Sequence, residues 1–379
     1  MDFDLSEEQR LLKDSIEGLL TDSYDFEQRK KYAQEKGGWS KAIWGKLAEQ
    51  GLLGLPFSEE DGGFGGGPVE TMIVMEALGR ALVLEPYIAT VVLGGGFLRH
   101  GGSAAQKEKY IPSIIDGSKT LAFAQLETDS RYDLADVTTT AKKKGDGWVI
   151  DGEKFVVLNG ASADTLIVTA RTKGNRTDHT GIGPFLVPAD AKGVSIKGYP
   201  TQDSQQAADI TFSGVEVGAD AAIGDPENAL PLIERVVDEA RIAMCAEAVG
   251  AMDESLKTTV EYLKTRKQFG VAIGTFQTLQ HRAADMFVFL EQARSMAMLA
   301  AMAANLADSE RSKTVAAAKV QVGKSSKFVG QQSIQLHGGI GMTMEAKIGH
   351  YFKRLTMIEN TFGDTDYHLR RVSEQGGLI

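Results

Sequence analysis

The stretch of this 379-residue chain best equipped for chemistry is Tyr262–Gln277, YLKTRKQFGVAIGTFQ. Arg266, Lys267 and Gln268 form a compact basic and polar head. Phe269, Ile273 and Phe276 follow as apolar contacts, with Gly270 and Gly274 breaking the helix between them. A guanidinium is a planar fork that holds two oxygens at once, so an arginine fixed at a helix end suits a pyrophosphate. The same residues also describe a solvated helix end followed by a hydrophobic turn. The rest of the chain decides between the two.

Composition narrows the classes. With 42% apolar residues, 24% charged and 42 glycines, the chain can bury a large core and divide into two or three domains. A net charge of −10 argues against a nucleic-acid surface, which needs a concentrated positive field. The single cysteine, Cys245, allows no intrachain disulfide and no cysteine metal cluster, and its alanine-rich helical setting points to a buried structural thiol. No metal is expected. The N-terminus, MDFDLSEEQRLL, lacks the basic-then-apolar layout of a signal peptide, and no apolar run approaches the roughly 20 residues that cross a bilayer. A cytoplasmic protein without a membrane partner is the expectation.

Three segments must position the chemistry. Residues 1–118 read as helical: Ser6 with Glu8 and Gln9 starts one helix, Ser40–Gln50 forms another, and Pro68 opens a third carrying Met72, Ile73, Met75, Leu78 and Leu82. Gly62–Gly67 has neither the preceding strand nor the following Lys-Ser/Thr of a phosphate loop and reads as a flexible turn. Residues 119–226 carry short β-rich runs (148–150, 155–158, 165–170, 184–187, 210–212), consistent with a compact antiparallel β-domain. Residues 227–379 hold long periodic runs over 230–265, 277–306 and 314–337, the pattern of a four-helix bundle. The fold class is α+β.

This order, together with R-x-Q-F-G and I-x-x-F-Q in the opening stretch, resembles the acyl-CoA dehydrogenase family along the whole chain. Gln335–Gly341, QLHGGIG, is similar to the family's Q-x-x-G-G-x-G, where glycines let backbone amides approach a nucleotide; a plain glycine helix stop is the alternative. The resemblance implies FAD, with Arg266, Gln268, Phe269, Phe276, Gln277, Gln335, Gly338 and Gly339 serving the ADP end of a neighbouring subunit's cofactor.

Other positions depart from the family. Its glutamate base aligns with Gly363, which cannot abstract a proton, and the neighbouring Asp364 and Asp366 read as loop-shaping residues. Some members place the base in an E-R pair in the helix before R-x-x-F-G. Here the matching Arg is Arg241 and the Glu position is Ala240; Glu239 is turned about 100° away. Glu247 shares the face roughly 10 Å further on and is a weak candidate base, with a structural carboxylate as the alternative. The family's T-E-P corresponds to Leu126, Glu127 and Thr128. Its indole and hydroxyl against the flavin ring have become Val156 and Leu158.

A retained trans site beside a broken ring pocket implies one subunit of a heteromeric, FAD-dependent acyl-CoA dehydrogenase. A homologous large subunit in an α2β2 assembly would supply ring pocket and base, and an electron-transferring flavoprotein would accept the electrons. The stretches MDFDLSEEQRLLKDS and GLPFSEEDGGFGGGPVETMIVMEALGRALVLEPY resemble small subunits of the pimeloyl-CoA dehydrogenase kind. That implies α,β-desaturation of a dicarboxylyl-CoA such as pimeloyl-CoA. Arg99, His100 and Arg131 are available to a distal carboxylate or are ordinary surface charges. A homo-oligomer using Glu247 and a non-catalytic scaffold remain as alternatives.

Overall fold

The computed structural model describes residues 5–377, so the first four residues of the N-terminal resemblance lie outside the described residues. In chain order the elements are α1 (Glu7–Ser23), α2 (Phe26–Tyr32), α3 (Lys41–Glu49), α4 (Pro68–Ala81), a π-helical turn (Ile88–Gly94), α5 (Gly95–Gly101) and α6 (Ala104–Ile115). Seven strands follow: β1 (Leu121–Ala124), β2 (Thr140–Lys144), β3 (Gly147–Leu158), β4 (Thr165–Arg171), β5 (Ile182–Pro188), β6 (Val194–Pro200) and β7 (Gln206–Val217). Then come α7 (Leu230–Thr265), the short strands β8 (Lys267–Gln268) and β9 (Val271–Ala272), α8 (Gln277–Ala303), α9 (Asp308–His337), α10 (Lys347–Asn360) and α11 (Thr365–Glu374).

Local signals set several boundaries. Ser6 caps α1 through a reciprocal pair with Gln9, which satisfies two otherwise orphaned amides. Pro68 opens α4, where its missing N–H is harmless. The Gly62–Gly67 turn is packed rather than flexible: Gly63, Gly65 and Gly66 donate to Ser58, Phe57 and Leu55 carbonyls, and a Cβ on Gly63 would lie 2.4 Å from the Phe57 oxygen.

By contacts the chain forms two compact units. One comprises residues 32–67 and 84–240, and its centre is the seven-stranded sheet, ordered β1-β4-β2-β3-β7-β6 with β5 on β4. Trp148, Ile150, Leu166, Val168, Phe185 and Phe212 are buried in the core of this sheet. Most pairings are antiparallel as expected, but β1 runs parallel to β4, and Thr140 of β2 also pairs in parallel with Arg171 of β4. A parallel neighbour needs a long crossover, and the chain makes one through β2 and β3.

The other unit gathers the residues up to 31, 68–83 and 241 onward, three stretches far apart in sequence. Division along the chain into 1–118, 119–226 and 227–379 therefore cuts differently from division by contacts. Here α8 packs on α9, with Phe289 stacked on Phe328 at 4.2 Å. Arg80 and Arg294 bind Glu17, Glu76 and Asp253, tying α1, α4, α7 and α8 together.

Helix α8 bears on the expected absence of a membrane span. Among the described residues this one helix is long and apolar enough, by length and composition alone, to cross a membrane. The apolar run is not obvious in the sequence because Glu291 and Arg294 interrupt it; in the fold these two pair with each other. Its face toward α9 is buried, as in core helices generally.

Candidate cofactor-binding site

Two of the motifs meet at one end of the helical unit. Helix α7 stops at Thr265, before either glycine of the stretch, and the Arg266 N–H still donates to the Tyr262 carbonyl at 2.8 Å. Gly270 does not break a helix; it turns a hairpin. Lys267 pairs with Ala272 and Gln268 with Val271 across a two-residue turn in which Phe269 and Gly270 both have positive φ, 53° and 85°. Such a turn follows the natural twist of the two strands.

The hairpin is presented to solvent. Phe269 is 92% exposed, edge-on to Phe276 at 6.3 Å, and Gln268 and Gln277 are exposed beside them. The Arg266 guanidinium is exposed and makes no hydrogen bond or ion pair among the described residues. At the end of α9, Gln335 is exposed and Gly338 adopts a φ of 64°. A Cβ added at Gly338 or Gly339 would meet open space.

What brings hairpin and glycine loop together is a ring stack. Tyr262 lies on His337 with centroids 4.4 Å apart and planes 23° from parallel. An unpaired guanidinium, bare backbone at two glycines and exposed apolar side chains form a surface that fits the phosphate-bearing end of a dinucleotide.

The position of the family's glutamate is different in kind. Gly363 lies in the turn between α10 and α11, where Phe362 and Gly363 have φ of 58° and 114°. A Cβ at Gly363 would stand 2.4 Å from His368 Nε2 and 2.6 Å from Tyr367 Cδ1, so this turn admits glycine only. The turn is clamped from below. Arg241 Nε donates to the Phe362 carbonyl at 2.8 Å, and His368 Nε2 lies 3.1 Å from the same oxygen. Lys319 Nζ reaches the carbonyls of Ile358, Glu359 and Thr361 at 2.8, 3.3 and 3.0 Å, satisfying the C-terminal end of α10. Asp364 caps α11 by accepting from the Tyr367 N–H at 2.7 Å. Asp366 is exposed in the first turn of that helix.

Burial tunes these groups. It pushes the Lys319 ammonium down to about 8 and the Cys245 thiol up to about 11, leaving the buried cysteine inert. His368 falls to about 2, through burial and the nearby Arg241 and Lys319 cations. Burial also lowers His337 and His350.

A pH dependence follows. As pH falls below 6.5 the unfolded chain protonates these imidazoles while the folded chain resists. The unfolded state then holds more protons, and stability drops on acidification by about 1.4 kcal/mol per pH unit for each histidine kept neutral. For His368 the window runs from 6.5 down to about 2. Denaturant midpoints at pH 7.5 and 5 test this; His368→Gln should flatten the difference, and an unchanged slope would show His368 is not the group responsible.

Glu247, the in-chain base candidate, is corrected by its surroundings. Arg354 Nε donates to its Oε1 at 2.6 Å and Nη2 to its Oε2 at 2.8 Å, and both side chains are buried. A carboxylate with both oxygens held by one guanidinium is an anchor between α7 and α10, not a base waiting for substrate. Glu247→Ala should therefore destabilise by about 3–5 kcal/mol, because a buried cation loses its counter-ion. Glu247→Leu with Arg354→Met should recover most of that loss. Thermal unfolding of the single and double variants distinguishes this from a catalytic role, in which stability would hold and turnover would fail.

In the sheet unit, Glu239 accepts from Arg99 at 2.7 Å and sits 2.7 Å from His100. Burial opposes its charge, but His100 and Arg99 more than offset this and lower its pKa to about 2. Two of the three residues offered above to a distal carboxylate are thus already engaged, while Arg131 is exposed. Glu127 is likewise structural. It accepts from the Thr138 and Thr139 amides at 2.7 and 3.0 Å and from buried Lys154 at 2.8 Å, with Thr138 Oγ1 as a further donor. Val156 occupies a bulge in β3 with φ 48°, a strained conformation for a β-branched side chain, and is 41% exposed. Sequence reading missed Lys319, His368 and Arg354. Only Lys319 carries a signal, as a cation in the apolar run TVAAAKVQV; His368 lies in the polar helix TDYHLRRVSE and Arg354 beside Lys353, where nothing marks them out.

Comparison with known proteins bears on the same segments. Models described as the N-terminal, middle and C-terminal domains of acyl-CoA dehydrogenase match residues 6–118, 122–215 and 230–377. Probable acyl-CoA dehydrogenase YngJ of Bacillus subtilis (strain 168) is 30% identical over 382 residues, covering 99% of both proteins. Among solved structures, the Tcur3481-Tcur3483 steroid ACAD is 30% identical, with a TM-score of 0.88 and 97% of each chain covered. The ChsE4-ChsE5 complex from Mycobacterium tuberculosis is 25% identical, with a TM-score of 0.90 over 100% of each chain.

Proposed function

Because the chain belongs to the acyl-CoA dehydrogenase family, whose members are FAD-dependent oxidoreductases acting on acyl-CoA thioesters, we propose that it is one subunit of a heteromeric member of that family. The observation that carries this reading is the contrast within the helical unit. The hairpin and glycine loop present an unpaired Arg266 to solvent, whereas the turn at Gly363 has no room for an acid.

In the assembly, Arg266 would hold the pyrophosphate of a flavin carried by a homologous large subunit, and the amides around Gly338 and Gly339 would serve the same end. FAD supplies hydride acceptance from the acyl β-carbon. The partner contributes the ring pocket and the carboxylate that removes the α-proton. This chain adds binding energy and orientation but no base. Two of the similar structures are each named for two proteins, which supports an assembly of unlike subunits. An α2β2 stoichiometry, an electron-transferring flavoprotein as acceptor and a cytoplasmic setting belong to the same reading.

The substrate is proposed to be a dicarboxylyl-CoA such as pimeloyl-CoA. Since Arg99 and His100 hold Glu239, recognition of its distal carboxylate falls to Arg131 or to the partner. The test is purification alone and together with a homologous acyl-CoA dehydrogenase chain, measuring FAD per subunit and turnover of pimeloyl-CoA and of a steroid-CoA. A colourless, inactive lone chain and a complex with one flavin per pair support the proposal. A lone chain that binds one FAD per subunit and turns over either thioester refutes it.

A further inference from the structure

The ring stack at the site joins the ends of the two helices that carry the two motifs. We propose that Tyr262 and His337 are positioning residues for the nucleotide site: a joint that fixes the separation of the Arg266 hairpin and the Gly338 loop without touching the cofactor. The inference rests on the reading above that these two elements receive a nucleotide.

Tyr262 is tied to the hairpin through its backbone, because its carbonyl accepts the Arg266 N–H at 2.8 Å. The Ile273 N–H in turn donates to the Arg266 carbonyl at 2.8 Å, so the hairpin's exit is fixed to its entry. His337 is tied to the loop by covalent adjacency, as the last residue of α9 before Gly338. Its Nδ1 lies 2.8 Å from the Ser333 carbonyl, which makes Nδ1 the protonated nitrogen and sets the ring's orientation.

Ser333 carries a second link, since its hydroxyl lies 2.7 Å from that of Ser255 on α7. Ser255 and Tyr262 are seven residues apart, two turns on one face of α7, and Ser333 and His337 are one turn apart on α9. The ends of α7 and α9 are thus held by two rungs, a hydroxyl pair and a ring stack. The outer rung is the nearer to both motifs. Beyond it the hairpin is held by its own short ladder, the Ile273–Arg266 backbone bond and the edge contact of Phe269 with Phe276, and the loop is a single 3-10 turn, Gly338–Met342. A phosphate held jointly by a guanidinium and by backbone amides requires their spacing to within a fraction of an ångström, and such preorganisation strengthens binding by lowering its ordering cost. The Tyr262 hydroxyl has no partner among the described residues, so the ring, not the hydroxyl, is the working part.

The test uses the assembled complex with the homologous partner, titrated with FAD. Tyr262→Leu, which keeps apolar bulk but loses the stack, should weaken FAD binding by about tenfold, with kcat at saturating FAD and subunit assembly unchanged. Tyr262→Phe should match the wild type. His337→Phe, a second route to the same joint, should keep the ring pair, lose the Ser333 bond and fall between them. Three results overturn the joint: wild-type affinity in Tyr262→Leu, loss of affinity in Tyr262→Phe equal to that in Tyr262→Leu, or loss of assembly together with FAD in both Tyr262→Leu and His337→Phe. Arg266→Ala in the same complex separates the two levels. If it binds FAD normally, the nucleotide-site reading itself fails. If it loses FAD while Tyr262→Leu does not, only the joint is wrong.

Discussion

Gly363→Glu, the substitution that would return the family's acid to its aligned position, is expected to give no activity in the lone chain and to destabilise it by several kcal/mol, at least about 1–3 of it from backbone strain. The φ of 114° at Gly363 is outside the range that side-chain-bearing residues adopt readily. The first atom of any side chain would also overlap His368 Nε2 at 2.4 Å and Tyr367 Cδ1 at 2.6 Å. Moving those rings aside means breaking the His368 contact to the Phe362 carbonyl and opening a well-packed site. The cations below the turn do not offer ready compensation, because Lys319 is spent on three carbonyls and Arg241 Nε on a fourth. Denaturant unfolding and acyl-CoA turnover are the measurements. Gly363→Glu combined with His368→Ala should recover part of the stability. A stable single variant that desaturates an acyl-CoA would show that the turn is pliable and that this subunit lacks only its acid.

Arg266→Ala should behave in the opposite way, leaving the fold untouched and removing the cofactor. The guanidinium is exposed and pairs with nothing among the described residues, so unfolding of the lone chain should change by less than about 0.5 kcal/mol. In the complex, two charge-assisted hydrogen bonds to phosphate oxygens are lost, and FAD should bind about a hundredfold more weakly. Arg266→Lys keeps the charge but not the fork and should recover only part of the affinity. The readout is flavin absorbance per subunit after gel filtration, beside the unfolding midpoint. Full flavin retention in Arg266→Ala would leave the hairpin as a surface feature and favour the scaffold reading.

Much of this protein is determined by short-range pattern. The capping pair at Ser6 and Gln9, the proline at the head of α4 and the periodic runs of α7, α8 and α9 depend on residues a few positions apart, so they can be read along the sequence. The two nucleotide motifs are legible for the same reason, each being contiguous. So is the absence of an acid at Gly363.

What depends on distant partners was decided only by the tertiary structure. Glu247 reads as a possible base until Arg354, 107 residues later, takes both its oxygens. Arg99 and His100 read as free cations until Glu239 folds between them. The missing glutamate looks like a simple deletion until His368 is found in the space its side chain would need. The parallel pairing of β1 with β4 and the stack of Tyr262 on His337 join residues more than 40 positions apart. Charge and hydrogen-bonding capacity are properties of a residue, but whether they are free for chemistry depends on what chain folding brings within about 3 Å. The sequence alone does not carry that distance.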